Sequence, residues 1–205
     1  MVSSSQISAQ VQLRRIQQLQ ATTIVWMSVE AVASLFAAWR ARSPALLAFG
    51  GDSCVELLSA TVALWRFRAP LVPGRTERSA SRIAGTLLFA LVAYVSVVSV
   101  LSLLGHSTAR PTYLGVVILI AATIVMPWLA IQKRELSAAT GSAALRADAA
   151  QSGLCAYLSV IALLGLAVNA VWHATWADPV AALAITPLIL WEGKEAIRGR
   201  ACGCC

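Results

Sequence analysis

Six long apolar runs, separated by short polar breaks, constrain what this chain can fold into more than any other feature. They cover about 22–39, 44–65, 80–104, 112–132, 143–169 and 178–197. An α-helix needs about 20 apolar residues to cross a bilayer. Inside lipid, each segment must satisfy its own backbone hydrogen bonds, which forces helices. The runs do not alternate residue by residue, so a β-barrel is excluded. The expected fold is therefore all-α, a six-helix transmembrane bundle. Composition agrees, with 59% hydrophobic and 12% charged residues, against roughly 25% charge in soluble domains. Such a chain cannot clothe itself in polar surface, and lipid has to be its solvent.

The breaks between runs carry the right chemistry. Ser43-Pro44 opens the second run, because proline is tolerated in a first helical turn. Ala69-Pro70 and Val72-Pro73-Gly74 end the second, and Arg110-Pro111 precedes the fourth. Asp178-Pro179 opens the sixth with an acid at the N-cap. Pro127 and Pro187 fall inside runs and are expected to kink them. Thirteen of the 16 Lys and Arg residues lie on one side if the N-terminus is cytoplasmic; Arg40, Arg42 and Arg110 are the exceptions. That bias places both termini in the cytoplasm. Most of the seven tryptophans lie near run ends, as interfacial anchors do. The net charge of +7 is concentrated in these flanks, which suits anionic lipid headgroups and not nucleic acid.

The organisation expected is a polar N-terminal leader over 1–21, a transmembrane transporter domain over 22–197 and a short Cys-rich tail over 198–205. The leader is either cytoplasmic or a surface-lying amphipathic helix, and no cleavable signal peptide is visible in it. Cys54 and Cys155 lie inside apolar runs, while Cys202, Cys204 and Cys205 crowd the C-terminus. This is no disulfide framework; it fits reduced thiols or metal ligands. The Cys-x-Cys-Cys tail offers several thiolates to a soft ion, or membrane-proximal sites for palmitoylation if the source is eukaryotic.

Charged side chains inside a span cost at least ~2.5–3.5 kcal/mol each on insertion scales and mark function by default. Glu30, Asp52, Glu56 and Asp148 lie inside the runs, and no Lys or Arg lies deep in a span to neutralise them. Arg146 is the base nearest Asp148, at the membrane edge. The missing partner is then a cation: protons, a metal ion or a cationic substrate. Asp52 and Glu56, four residues apart, share one helical face. They can chelate a divalent ion, or stand as a protonated pair held by Ser or backbone. Asp148, Gln151, Ser152 and Cys155 form a polar stripe on the fifth helix. Its oxygen, amide and sulfur suit a borderline or soft metal, and a plain helix-packing seam is the alternative. Glu30 aligns with Met27 and Ser34, as a proton relay, a support for the site or a solvated residue near an interface. His106 and His173 fall in outer loops and are not assigned a role.

The segments Phe49-Gly50-Gly51-Asp52-Ser53 with Glu56, Ala147-Asp148 and Ala177-Asp178-Pro179 resemble the cation diffusion facilitator family. The chain looks most like its short, transmembrane-163-like branch. There Asp-Ser-x-x-Glu/Asp in the second span accompanies Asp-Ala-x-Gln-Ser/Thr-x-x-Cys-x-Tyr-Leu-Ser in the fifth, a run matched by Asp148 to Ser159. The resemblance implies six spans, often a homodimer, and export of zinc or related divalent metals from the cytoplasm, often against protons. It implies a transport site with Asp52 and Glu56 from the second helix. The fifth-helix pair, commonly His and Asp, falls on Gln151 and Cys155, which changes the ligand set. The family's usual cytoplasmic C-terminal domain has no counterpart here.

The function expected is a divalent transition-metal transporter, zinc first and cadmium, cobalt, iron or manganese after it. It would work by proton antiport in a membrane expected to be the bacterial cytoplasmic membrane. Asp52, Glu56 and Cys155 would bind the ion, assisted by Gln151 and Asp148, with no permanently bound cofactor. The alternative is a non-transporting accessory protein that holds metal on its Cys tail. An organic-cation exporter would want an aromatic-lined cavity, and the tryptophans sit elsewhere. No nucleophile–base constellation suggests an enzyme.

Overall fold

The computed structural model describes residues 4–68, 75–106, 108–110, 112–141 and 143–198. Its regular structure is six α-helices: α1 (Ser4–Ala41), α2 (Pro44–Arg68), α3 (Arg75–Leu103), α4 (Tyr113–Thr140), α5 (Ala143–Trp172) and α6 (Ala177–Arg198). Four of them, within α1, α3, α4 and α5, hold stretches long and apolar enough to cross a membrane. The closest pairings are α1 with α2, α4 with α5 and α3 with α6. The α5 helix also meets α2 and α6, so the centre of the bundle lies between α1, α2, α5 and α6.

Apolar residues cover this bundle inside and out. Phe49, Met27, Leu119, Leu158 and Ile185 are fully buried in its core. Val32, Ile124, Tyr157 and Val171 are each more than 60% exposed. On a soluble protein such an apolar exterior would drive association; on a spanning bundle it is the face that lipid wets. Small residues permit close helix approach, as in membrane interfaces generally. A Cβ added to Gly85 of α3 would sit 2.7 Å from the Gly193 carbonyl oxygen of α6. Those two backbones therefore touch without side chains between them.

Helix limits differ from the sequence expectation at several places, α3 among them, which starts at Arg75 instead of about Ala80. The residues assigned to a separate leader continue α1 without a break from Ser4. The α4 helix does not stop at Gln132 but runs to Thr140, where Gly141 (φ 66°) ends it in the left-handed conformation. Pro127 and Pro187 lie inside α4 and α6 without interrupting either helix.

The Asp178 acid, expected to cap its own helix, caps another. It lies in the first turn of α6 and accepts hydrogen bonds from the Ser43 hydroxyl (2.5 Å) and the Ala45 amide (3.1 Å). Ser43 in turn accepts from the Leu46 amide at 3.1 Å. Two of the orphan N–H groups that begin α2 are thus satisfied, one by a neighbouring helix, with a carboxylate where the helix dipole favours negative charge. Nearby, Asn169 donates to the Ala109 carbonyl (3.1 Å) and the Arg110 amide to the Ala41 carbonyl (2.8 Å). This end of the bundle is held by loop-to-helix bonds.

Candidate functional site

The i, i+4 spacing of α2 and the stripe of α5 place their polar side chains toward the same interior. Asp52, Ser53 and Glu56 come from α2; Asp148, Ser152 and Cys155 come from α5; all six are buried. Gln151 is half-buried beside them. From α1, Glu30 and Gln20 enter with no exposed surface. Three members were not expected from sequence: Gln20 itself, Lys133 of α4, fully buried, and Glu192 of α6, at 6% exposure.

A run of hydrogen bonds links most of these groups. Gln20 Nε2 donates to Asp148 Oδ2 at 2.6 Å. The Lys133 ammonium donates to Asp148 Oδ1 at 3.0 Å and to Ser152 Oγ at 2.8 Å. The Ser152 hydroxyl in turn donates to Glu56 Oε1 at 2.8 Å. The Cys155 thiol lies 3.6 Å from Glu30 Oε1 and also pairs with Glu56. Glu30 is completed by Ser53 Oγ on Oε1 and by the Trp26 indole on Oε2, both at 2.7 Å. Beside this run, Glu192 pairs with Asp52 and with Gln151.

Lys133 corrects the expectation that no base lies deep in a span, and with it the placement of Lys133 in a loop. It sits on the buried face of α4 in line with Met126, Leu129 and Ala130. It, and not the exposed Arg146, is the partner of Asp148. Even so, negative charge exceeds positive here. Glu30, Asp52, Glu56, Asp148 and Glu192 face one buried base among the described residues. Three carboxylate oxygens in the group, Asp52 Oδ1, Glu56 Oε2 and Glu192 Oε2, are buried with no hydrogen-bond partner. A buried carboxylate oxygen without a donor is expensive.

The four residues carried over from the family pattern fall into two adjoining groups. Asp52 and Gln151 meet at Glu192, and Cys155 lies between Glu56 and Glu30. Among the described residues, no three His, Cys, Asp or Glu side chains converge closely enough to hold a metal ion. The Cys202, Cys204 and Cys205 tail lies outside the described residues. Cys54 faces outward from α2 and joins neither group.

Six helices with a lipid-facing exterior and an acidic interior define an integral, multi-pass membrane protein. The model of the cation efflux transmembrane domain matches residues 21–198. The chain belongs to the cation efflux family. Among curated proteins it is similar to an uncharacterized transporter of Synechocystis sp., at 27% identity over 165 residues. That alignment covers 76% of this chain and 53% of the relative, so the chain spans about half the length of the curated relative it matches.

Proposed function

We propose that this chain carries a divalent transition-metal cation, zinc first, across the membrane and out of the cytoplasm in exchange for protons. The observation that carries the proposal is the excess of buried carboxylate over buried base, with three carboxylate oxygens left without donors. Membership of the cation efflux family points the same way.

The chemistry follows from charge balance. Carboxylates close together in an apolar interior do not all stay ionised unless a cation lies among them. Protons serve when the cargo is elsewhere, and a divalent ion displaces them when it enters. Binding the ion therefore releases protons, and reloading protons expels the ion. Asp52 and Glu56 supply oxygens, Gln151 an amide oxygen and Cys155 a sulfur, a mixed set that suits a borderline metal better than magnesium. Glu30 touches Cys155 and Ser53 and so can pass protons between that thiol and the α1 side. Asp148 is engaged by Lys133 and Gln20, so its part is to hold α1, α4 and α5 together near Glu56. Access alternates between the two membrane faces around this interior. A homodimer in the bacterial cytoplasmic membrane is the expected setting.

Proteoliposomes test this. Metal-stimulated proton flux is measured with zinc, cadmium, cobalt, iron and manganese, in the native protein and in Asp52→Asn. The proposal expects flux with at least one metal and its loss in the variant. An Asp52→Asn protein that moves every metal at the native rate would refute it.

A further inference from the structure

We propose that α6 supplies a ligand to the transported cation, the carboxylate of Glu192, opposite Asp52. This rests on the proposal that the bundle binds a divalent cation, and it adds a third helix to a site otherwise drawn from α2 and α5.

Glu192 continues the inward face of α6 that begins with Asp178, Ala181, Ile185 and Ile189. Its neighbour Gly193 packs on Gly85 and Leu88 of α3 without a side chain between the backbones. That close backbone contact holds this turn of α6 against α3. The carboxyl meets Asp52 from α2 and the Gln151 amide from α5. Asp52 is 2% and Glu192 6% exposed, and each has one oxygen with no partner, as has nearby Glu56. The one buried base among the described residues is already committed to Asp148 and Ser152. Among the described residues, no protein cation serves the Asp52–Glu192 pair.

Two carboxylates with a third within reach form an oxygen-rich set for a divalent ion, beside a Gln151 amide that turns its N–H toward Glu192. The three acids do not yet converge on one point. Rotation of the Glu192 and Glu56 side chains toward Asp52 would close the set around the ion.

Calorimetric titration of the full-length protein in detergent tests this with zinc and cadmium chloride. Cys202, Cys204 and Cys205 are replaced by serine so that tail thiols do not contribute. Glu192→Gln keeps the shape but removes the charge and replaces one acceptor oxygen with an NH2 donor, and is expected to weaken zinc binding at least tenfold. The half-buried Glu195, three residues on, serves as control, and Glu195→Gln is expected to bind as the parent does. Native affinity in Glu192→Gln, with binding lost in Asp52→Asn, overturns the α6 ligand and leaves the cation proposal standing. No zinc or cadmium binding by the parent overturns both. If Glu192→Gln does not fold, Glu192→Asp decides. A shortened ligand shifts the zinc-to-cadmium affinity ratio at least threefold, whereas an unchanged ratio overturns the assignment.

Discussion

Asp148 and Asp52 are both buried aspartates of one bundle, yet their surroundings differ. Each oxygen of Asp148 is engaged, one by Lys133 and the other by Gln20. Asp52 faces another acid, Glu192, and keeps an oxygen with no donor. The first arrangement is closed on itself. An ammonium and a carboxylate cancel, and their remaining hydrogen bonds tie α1, α4 and α5 together. The second is open in charge and in hydrogen bonding, a costly state that stability alone would not select. The difference separates a neutralised ion pair from the acid pair proposed to bind the cation, although hydropathy alone would rank both aspartates as equally misplaced.

The largest effect should come from breaking the closed half on one side. Lys133→Met leaves Asp148 buried without its counter-charge and is expected to cost about 3–5 kcal/mol, read as a drop in thermal stability in detergent. Lys133→Met with Asp148→Leu removes both charges and should recover most of that loss. If the single and double variants melt alike, the pair is not what holds this half.

The open half should respond the other way. Asp52→Asn removes a buried acid that lacks a full set of donors, so melting temperature should hold or rise. Metal flux should fall by about 10- to 100-fold, in the range seen when a metal site loses a supporting group. A variant that unfolds would place Asp52 with the structural pair.

A smaller change tests whether the open half depends on where α6 sits. Gly85→Ala puts a methyl into the Gly193 carbonyl of α6. Overpacking of this kind costs about 1–3 kcal/mol and should move Glu192 relative to Asp52. Flux should fall with the Lys133–Asp148 pair intact. The smallest effect belongs to the end of α6, where the exposed Arg198 lies 3.7 Å from the half-buried Glu195. Arg198→Gln should change stability by less than about 0.5 kcal/mol, as exposed pairs do, and flux should not change.

The sequence made much of this legible. Run length and proline placement located six helices, and Asp52, Glu56 and Asp148 stood out as acids amid apolar neighbours. Lys133 and Glu192 were hidden by their company. Lys133 lies in Gln132-Lys133-Arg134-Glu135, and Glu192 in Trp191-Glu192-Gly193-Lys194-Glu195. At Lys133 dense charge ended the run and read as a loop, and Glu192, although inside the sixth run, was passed over among the charges near its end, because hydropathy averages over all faces of a helix. The helical period still carried the signal. Met126, Leu129, Lys133 and Ser137 lie on one buried face of α4, while Arg134 and Glu135 are exposed. Ile185, Ile189 and Glu192 do the same on α6, with Lys194 outside. The pairing of Asp178 with α2 was out of reach, because it depends on how two helices distant in sequence meet at one end of the bundle.

Zinc uptake into proteoliposomes carrying a zinc-sensitive dye, compared between Asp52→Asn and the double variant Lys133→Met with Asp148→Leu, separates the two halves in one experiment. Uptake lost in the first and retained in the second is the predicted result. Uptake retained in Asp52→Asn and lost in the double variant would mean that the ion-paired half, and not the open one, handles the cargo.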